Sequence, residues 1–229
     1  MTILQTFVPP ASGGGGTPTY TSYNSATLPA SAAEETIITF NDPKFPRIFN
    51  MVYRGGRWLP LDGSVTIWQQ AYGRPGAPGL SLSAAGEFNL TNYPTIPANW
   101  FKSNDLLEIY GIFRKGTAGS GTAIDIRLGS DLAVHSNNNS IYNINVNGTN
   151  NPQDIVATPF LLFDTDASCI DLRTSYLGGT GIQNGFVAQA SMTNSAPQHF
   201  SFHATSVGAS QTLDFYGGFV RWVPSRLAA

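Results

Sequence analysis

His199 and His203 are the residues of this 229-residue chain best suited by type to hold a metal ion. Four apart in a strand-like stretch, they share a face but stand about 13 Å apart by the strand rise, too far to chelate one ion together. Only a threefold axis, gathering three copies of one of them, would make a site. Asp164 and Asp166, with Thr165 between, resemble a fragment of a calcium loop, but no further oxygen-rich run follows and a solvated turn accounts for them. Cys169 is the sole cysteine, so no intrachain disulfide can form. Between Ser168 and Ile170 it reads as a small buried apolar residue and not as a nucleophile. Gly178-Gly179-Thr180-Gly181 follows no βαβ pattern and reads as a turn, not a phosphate cradle. P-loop, zincin, nucleophile-elbow and paired-cysteine motifs are absent. A glycosidase needs two carboxylates across a cleft, and nothing among the 14 acidic residues selects a pair. A Ser-His-Asp triad is a matter of space and not of spacing. The expectation is a protein that is not an enzyme and carries no cofactor or metal.

The elements that would position these groups are strands. Ile124, Ile126 and Leu128 alternate with Asp125 and Arg127, a period of two that gives one oily and one charged face. The stretch from Asp105 to Lys115 precedes it across a Gly/Ser/Thr loop. Further strand candidates run from Ser140 to Val146, Ile155 to Phe163, Ile170 to Leu172, Phe186 to Met192, Phe200 to Phe202 and Leu213 to Val223. The run from Ile155 to Phe163 is nearly continuous and apolar, which suits a strand buried on both faces. Turn clusters separate these runs, and about eight strands so spaced predict an antiparallel sandwich or jelly roll. The last run, the most aromatic, is expected at the centre of a sheet. Its core is read as Ile109, Phe113, Ile126, Leu128, Phe215, Phe219 and Trp222.

Composition limits the partners. Hydrophobic residues make up 41%, enough for a core, whereas charged residues are 11%, against about 25% in ordinary soluble domains. Net charge is −2 and no basic stripe exists, so nucleic acid is not an expected partner. No apolar run is long enough to span a membrane as a helix. The leading Met-Thr-Ile-Leu-Gln-Thr-Phe lacks a signal-peptide shape, so synthesis in the cytosol is expected. A surface with so few charges suits a protein covered by its neighbours.

From Met1 to Ala33 there is no charged residue or histidine. With Pro9-Pro10 and Gly13 to Gly16 this stretch cannot build its own core. Residues 1–35 are expected to form an extended attachment arm that lies across other subunits, with Ile3, Leu4, Phe7, Val8, Tyr20 and Tyr23 as anchors. Residues 36–78 read as a small β-module. Ile48 to Pro60 forms a hairpin about Gly55-Gly56, and Val65 to Tyr72 supplies its third strand. Residues 79–98 read as a linker after the Gly/Pro-rich spacer from Gly73 to Gly79, and residues 99–229 as the β knob.

The stretch Trp100-Phe101, then Asn104-Asp105-Leu106-Leu107-Glu108-Ile109-Tyr110-Gly111-Ile112-Phe113-Arg114-Lys115, then Ile124-Asp125-Ile126-Arg127-Leu128-Gly129, resembles a β-sandwich segment of tailed-bacteriophage virion proteins. The run from Leu213 to Val223 is similar to the closing strand of that domain, so the resemblance spans roughly 99–223. The resemblance implies a homotrimeric structural protein of the virion, attached by an N-terminal arm with the knob projecting. One implied role is capsid decoration, as a cement or head-fibre protein on the major capsid protein shell. Another is a tail fibre or receptor-binding protein on tail or baseplate proteins, recognising a host cell-surface glycan; a polysaccharide depolymerase tip is a third. The absence of a shaft favours decoration. Chelation with EDTA is expected to leave the melting temperature unchanged, and a drop of several degrees would reveal a structural ion.

Overall fold

Turn chemistry sets the first sheet. Gly55 and Gly56 take φ of 56° and 77°, the pair of positive values that a two-residue hairpin matched to strand twist requires. They join β3 (Phe49–Arg54) to β4 (Arg57–Pro60). Ahead of them β2 (Ile37–Phe40) pairs antiparallel with β3, and β1 (Ser22–Tyr23) lies parallel to β2. The order is β1-β2-β3-β4. The computed structural model describes residues 20–71, 73, 77, 79–90, 93, 95–115, 122–131, 133–134, 138–146, 153–157, 160–165, 168–171, 175–178, 181–184, 190–191, 195–208 and 212–225. At residue 139 and in the strands from 141 to 191 the description is of backbone alone.

The chain from residue 20 onward belongs to this sheet. Ser25 donates to the Asp42 carboxylate from both its amide and its hydroxyl, Trp58 Nε1 donates to the Pro29 carbonyl at 2.7 Å, and Arg54 forks onto Glu35. Tyr23 and Leu28 pack against the core, and Tyr20 is half-buried. The expected arm of residues 1–35 is therefore shorter at its C-terminal end. Tyr23 packs against the chain's own core, Tyr20 is half-buried, and Ile3, Leu4, Phe7 and Val8 lie outside the described residues.

The next strands depart from the expected boundaries. β5 (Val65–Ala71), read as part of the small module, pairs with the last strand of the chain. The expected linker contributes β6 (Leu80–Leu82) and β7 (Gly86–Glu87), and Ile96 forms a two-bond bridge with Gln198. The physical reason is burial. Val65, Ile67 and Trp68 are apolar and find cover only against the larger sheet.

That sheet is built around β8 (Leu106–Lys115). After β9 (Thr122–Gly129) and β10 (Asn139–Val146) come β11 (Gln153–Ala157) and β12 (Phe160–Thr165). The apolar run expected as one strand is thus described as two, and residues 158 and 159 between them lie outside the described residues. Both pair antiparallel with β8 in one continuing register, Ala157 opposite Gly111 and Phe160 opposite Glu108. Outward follow β13 (Ser168–Asp171), β14 (Ser175–Gly178), β15 (Gly181–Asn184) and β16 (Ala190–Ser191). β17 (His199–Ser206) joins β10, β9 and β7 in a second sheet, ordered β10-β9-β17-β7. β18 (Leu213–Val223) pairs with β8 on one side and with β6 and then β5 on the other, which places it centrally, as expected.

The two sheets face each other across one aromatic core. Phe202 stacks on Phe215 at 5.3 Å, Trp68 meets Phe200 edge-on at 5.6 Å, and Phe113 lies 4.8 Å from Phe215. The fold is all-β, an antiparallel sandwich with a small four-stranded sheet at its flank and no helix among the described residues.

The flanking sheet is locked to the sandwich at Asp105. Its buried carboxylate accepts from Arg57 Nη1 and Nη2 at 2.8 Å each, Ser225 N at 2.7 Å, Lys102 N at 3.0 Å and Trp222 Nε1 at 3.0 Å. Removing one partner of a buried pair strands the other's charge. Asp105→Ala is expected to cost about 3–5 kcal/mol, read as an early unfolding midpoint in urea. A midpoint shift of less than a quarter of that would show the lock to be incidental.

Candidate assembly interface

Strand β8 alternates strictly. Leu107, Ile109 and Phe113 turn inward and are buried, whereas Leu106, Glu108, Tyr110, Ile112 and Arg114 turn outward and are half-buried. Three of those five outward residues are apolar or aromatic. On the neighbouring strand β18, Phe219 and Val223 lie on the same outward face, half-buried, with exposed Arg221 between them. Tyr110 and Phe219 stack at 5.4 Å with planes 9° apart. The Arg221 guanidinium sits 5.5 Å from the Phe219 ring centre and reaches Glu108 at 3.4 Å. The register also sets Leu162 opposite Leu106 and Val156 opposite Ile112, so apolar sequence continues along these rows.

A sheet with one solvated face carries polar residues outward. This one presents Leu106, Tyr110, Ile112, Phe219 and Val223 interleaved with Glu108, Arg114 and Arg221, a mixture of aromatic, aliphatic and arginine side chains of the kind enriched at protein–protein interfaces. Sequence reasoning missed this face. The signal was present in the stretch from Asp105 to Lys115, where the outward set itself holds Leu106, Tyr110 and Ile112 beside Glu108 and Arg114.

The expected core residues are placed as follows. Ile109, Phe113, Ile126, Leu128, Phe215 and Trp222 are buried in the shared core, but Phe219 is not among them. A bulge explains it. Phe215 pairs with Phe113 and Gly217 with Ile112, so Tyr216 is an extra residue that reverses which face the following side chains take. Phe215 and Phe219, four apart, would share a face in a regular strand and here do not.

The candidates for chemistry fall on the outer face of the second sheet. His203 lies directly opposite Asp125 on one neighbour and Glu87 on the other, and its Nε2 is 2.7 Å from Ser201 Oγ. Asp125 also takes a 2.6 Å bond from Arg127 Nε and one from the Ser140 hydroxyl. Serine, histidine and carboxylate thus adjoin, as in a hydrolase triad. Ser201 is 0% exposed, however, so no substrate carbonyl can reach its oxygen while the sheet is intact. The cluster is a satisfied polar layer. His199 lies on the same face as His203, as expected, but its ring meets Tyr93 at 4.6 Å, and the Tyr93 hydroxyl donates to Glu87 at 2.7 Å. Among the described residues no three His, Cys, Asp or Glu side chains converge as a metal site needs. Asp164 falls in β12 and Cys169 in β13 opposite Phe163, and Asp166 lies outside the described residues.

Phe219→Ala is expected to cost the monomeric fold clearly less than Trp222→Ala, for which loss of a buried aromatic predicts about 3–5 kcal/mol. Equal costs, measured by urea unfolding, would place Phe219 in the core after all.

No protein-family model and no curated protein matches this chain. Three chains of known structure are similar to it. One is peanut lectin, solved with a nine-residue peptide, at 11% identity over 71% of this chain and 99% of the lectin chain, with a TM-score of 0.33. At that score the likeness carries neither fold nor function.

Proposed function

We propose that this protein is a non-enzymatic structural component of a tailed-phage particle, a homotrimer that decorates the capsid with its sandwich outward and its N-terminal residues as the attachment. The observation that carries the reading is the outward face of β8 and β18, where Tyr110, Phe219, Leu106, Ile112 and Val223 are half-buried in the single chain and Tyr110 stacks on Phe219. Half-buried aromatic and aliphatic side chains on the outer face of a sheet, in a chain with 11% charged residues, suit a docking face, and copies of the same chain are the partner always present at matching concentration. The phage setting rests on the resemblance of residues 99–223. The attachment role falls to residues 1–19, which precede the first sheet and contain no charge.

Light scattering on the purified chain is expected to give three times the 24.5 kDa chain mass. The pair Tyr110→Ala and Phe219→Ala is expected to reduce it to one, with the β circular dichroism retained. A chain lacking residues 1–19 keeps β1 and the Pro29–Trp58 bond, so it is expected to stay trimeric and to lose cosedimentation with capsid shells. A monomeric wild type at micromolar concentration would overturn the trimer. Retained cosedimentation of the shortened chain would overturn the attachment.

A further inference from the structure

One edge of the second sheet is held by a very short ladder. Among the described residues β7 pairs only with β17, through Gly86 and Glu87. Beyond it Phe88 N donates to the Phe202 carbonyl at 3.0 Å, and Ile96 and Gln198 exchange two backbone bonds. With so little backbone pairing, the side chains across the strands must do much of the holding. The Glu87 carboxylate accepts from the Tyr93 hydroxyl at 2.7 Å, and that hydroxyl accepts from Leu90 N at 3.0 Å. The Tyr93 ring in turn lies 4.6 Å from the His199 ring of β17.

His203 stands between two acids on this edge. The register sets it directly opposite Glu87 of β7 and Asp125 of β9, and residues so placed have Cβ atoms about 5 Å apart. His203 and Asp125 are both buried. The same face carries Arg127, whose Nε donates to Asp125 at 2.6 Å. β10 sets the uncharged Ser140 and Asn143 opposite Arg127 and Asp125. Tyr93 and His199 are the other titratable side chains there among the described residues. Two carboxylates against one guanidinium leave a negative charge in excess, and a proton on His203 cancels it. Burial by itself disfavours a charged imidazole, but each opposite charge at this range moves a titration by about 1–3 pH units the other way. With an acid on both flanks the charged ring wins. Ser201 Oγ, 2.7 Å from Nε2, can accept from a ring N–H and so does not oppose the second proton.

From this we infer that β7 is pinned to the second sheet by a proton on His203: the ring stays charged in the folded chain at pH values where a free histidine is neutral, and the edge loosens as that proton leaves. A group that holds its proton more tightly folded than unfolded adds stability that is complete below about pH 6.5, and this fades as pH rises past the folded midpoint. The edge is therefore firm in mild acid and loose in mild base. The inference does not depend on the assembly reading.

The experiment is an NMR titration of the full chain from pH 5 to pH 9, with its three histidine rings assigned through their own backbone amides. His203 is expected to titrate about one pH unit above the free value of about 6.5. Glu87→Gln, at a half-buried position, is expected to bring that midpoint down by about the same amount. Protection of the Phe88 amide, corrected for the intrinsic exchange rate, is expected to fall about tenfold between pH 6 and pH 9 in the wild type, the factor that one unit of linkage supplies. In Glu87→Gln it is expected to stay level. A His203 midpoint at or below 6.5 would mean that burial has won, and the inference is overturned. A midpoint indifferent to Glu87→Gln overturns it as well, as does a Phe88 amide whose protection does not change with pH.

Discussion

One buried carboxylate holds together what the backbone ladders leave separate. Asp105 stands just ahead of β8, and its oxygens collect donors from the β3–β4 hairpin, the turn before β8 and the stretch that ends β18. Arg57 completes the exchange by donating to the Ser225 and Trp100 carbonyls. A carboxylate stripped of water is costly unless every lone pair is used. Here they are used, and the partners are backbone amides, an indole and a guanidinium fork, none of which can be supplied unless three remote segments are already in place. The interaction is weak evidence for net stability but strong evidence for uniqueness: a shifted register would leave the charge unpaired.

The second constraint acts at the middle of the same strand pair. β18 meets β6 over Leu213 to Phe215 and β5 over Gly217 to Trp222, so it must change partners along its length. The bulge at Tyr216 makes the change possible, and two glycines keep the strands close around it. A Cβ on Gly217 would overlap the Gln70 carbonyl, and its φ of 133° suits no other residue. A Cβ on Gly218 would overlap the Tyr110 carbonyl. The bulge also decides which side chains face out. Without it Phe219 would join the core and the outward face would lose its main aromatic pair.

Local signals were legible and distant ones were not. The alternation at Ile124, Ile126 and Leu128, the Gly55-Gly56 hairpin and the central place of Leu213 to Val223 follow from period and turn chemistry within a few residues. The partner of β5 did not follow, because Val65 to Ala71 pairs with a strand about 150 residues on, and no local pattern encodes such a choice. The ion pair of Arg57 with Asp105 spans 48 residues and is invisible for the same reason. The Ser201–His203 contact was half-visible, since residues two apart on a strand share a face, but the burial that closes it off is a tertiary property.

These constraints converge on β8 and β18. An interface needs surface that is ordered before the partner arrives, because each side chain fixed on binding costs free energy. This pair is fixed at one end by the Asp105 lock and within its length by the glycine bulge, and the Phe113–Phe215 contact backs it from within. On its outer side Tyr110 is already stacked on Phe219 and Arg221 is already drawn toward Glu108, so their rotamers are chosen in the single chain. An outward patch of loosely held aromatics would be a liability for aggregation. One held in place by the core beneath it presents a single shape, and a single shape is what a closed assembly of identical copies requires.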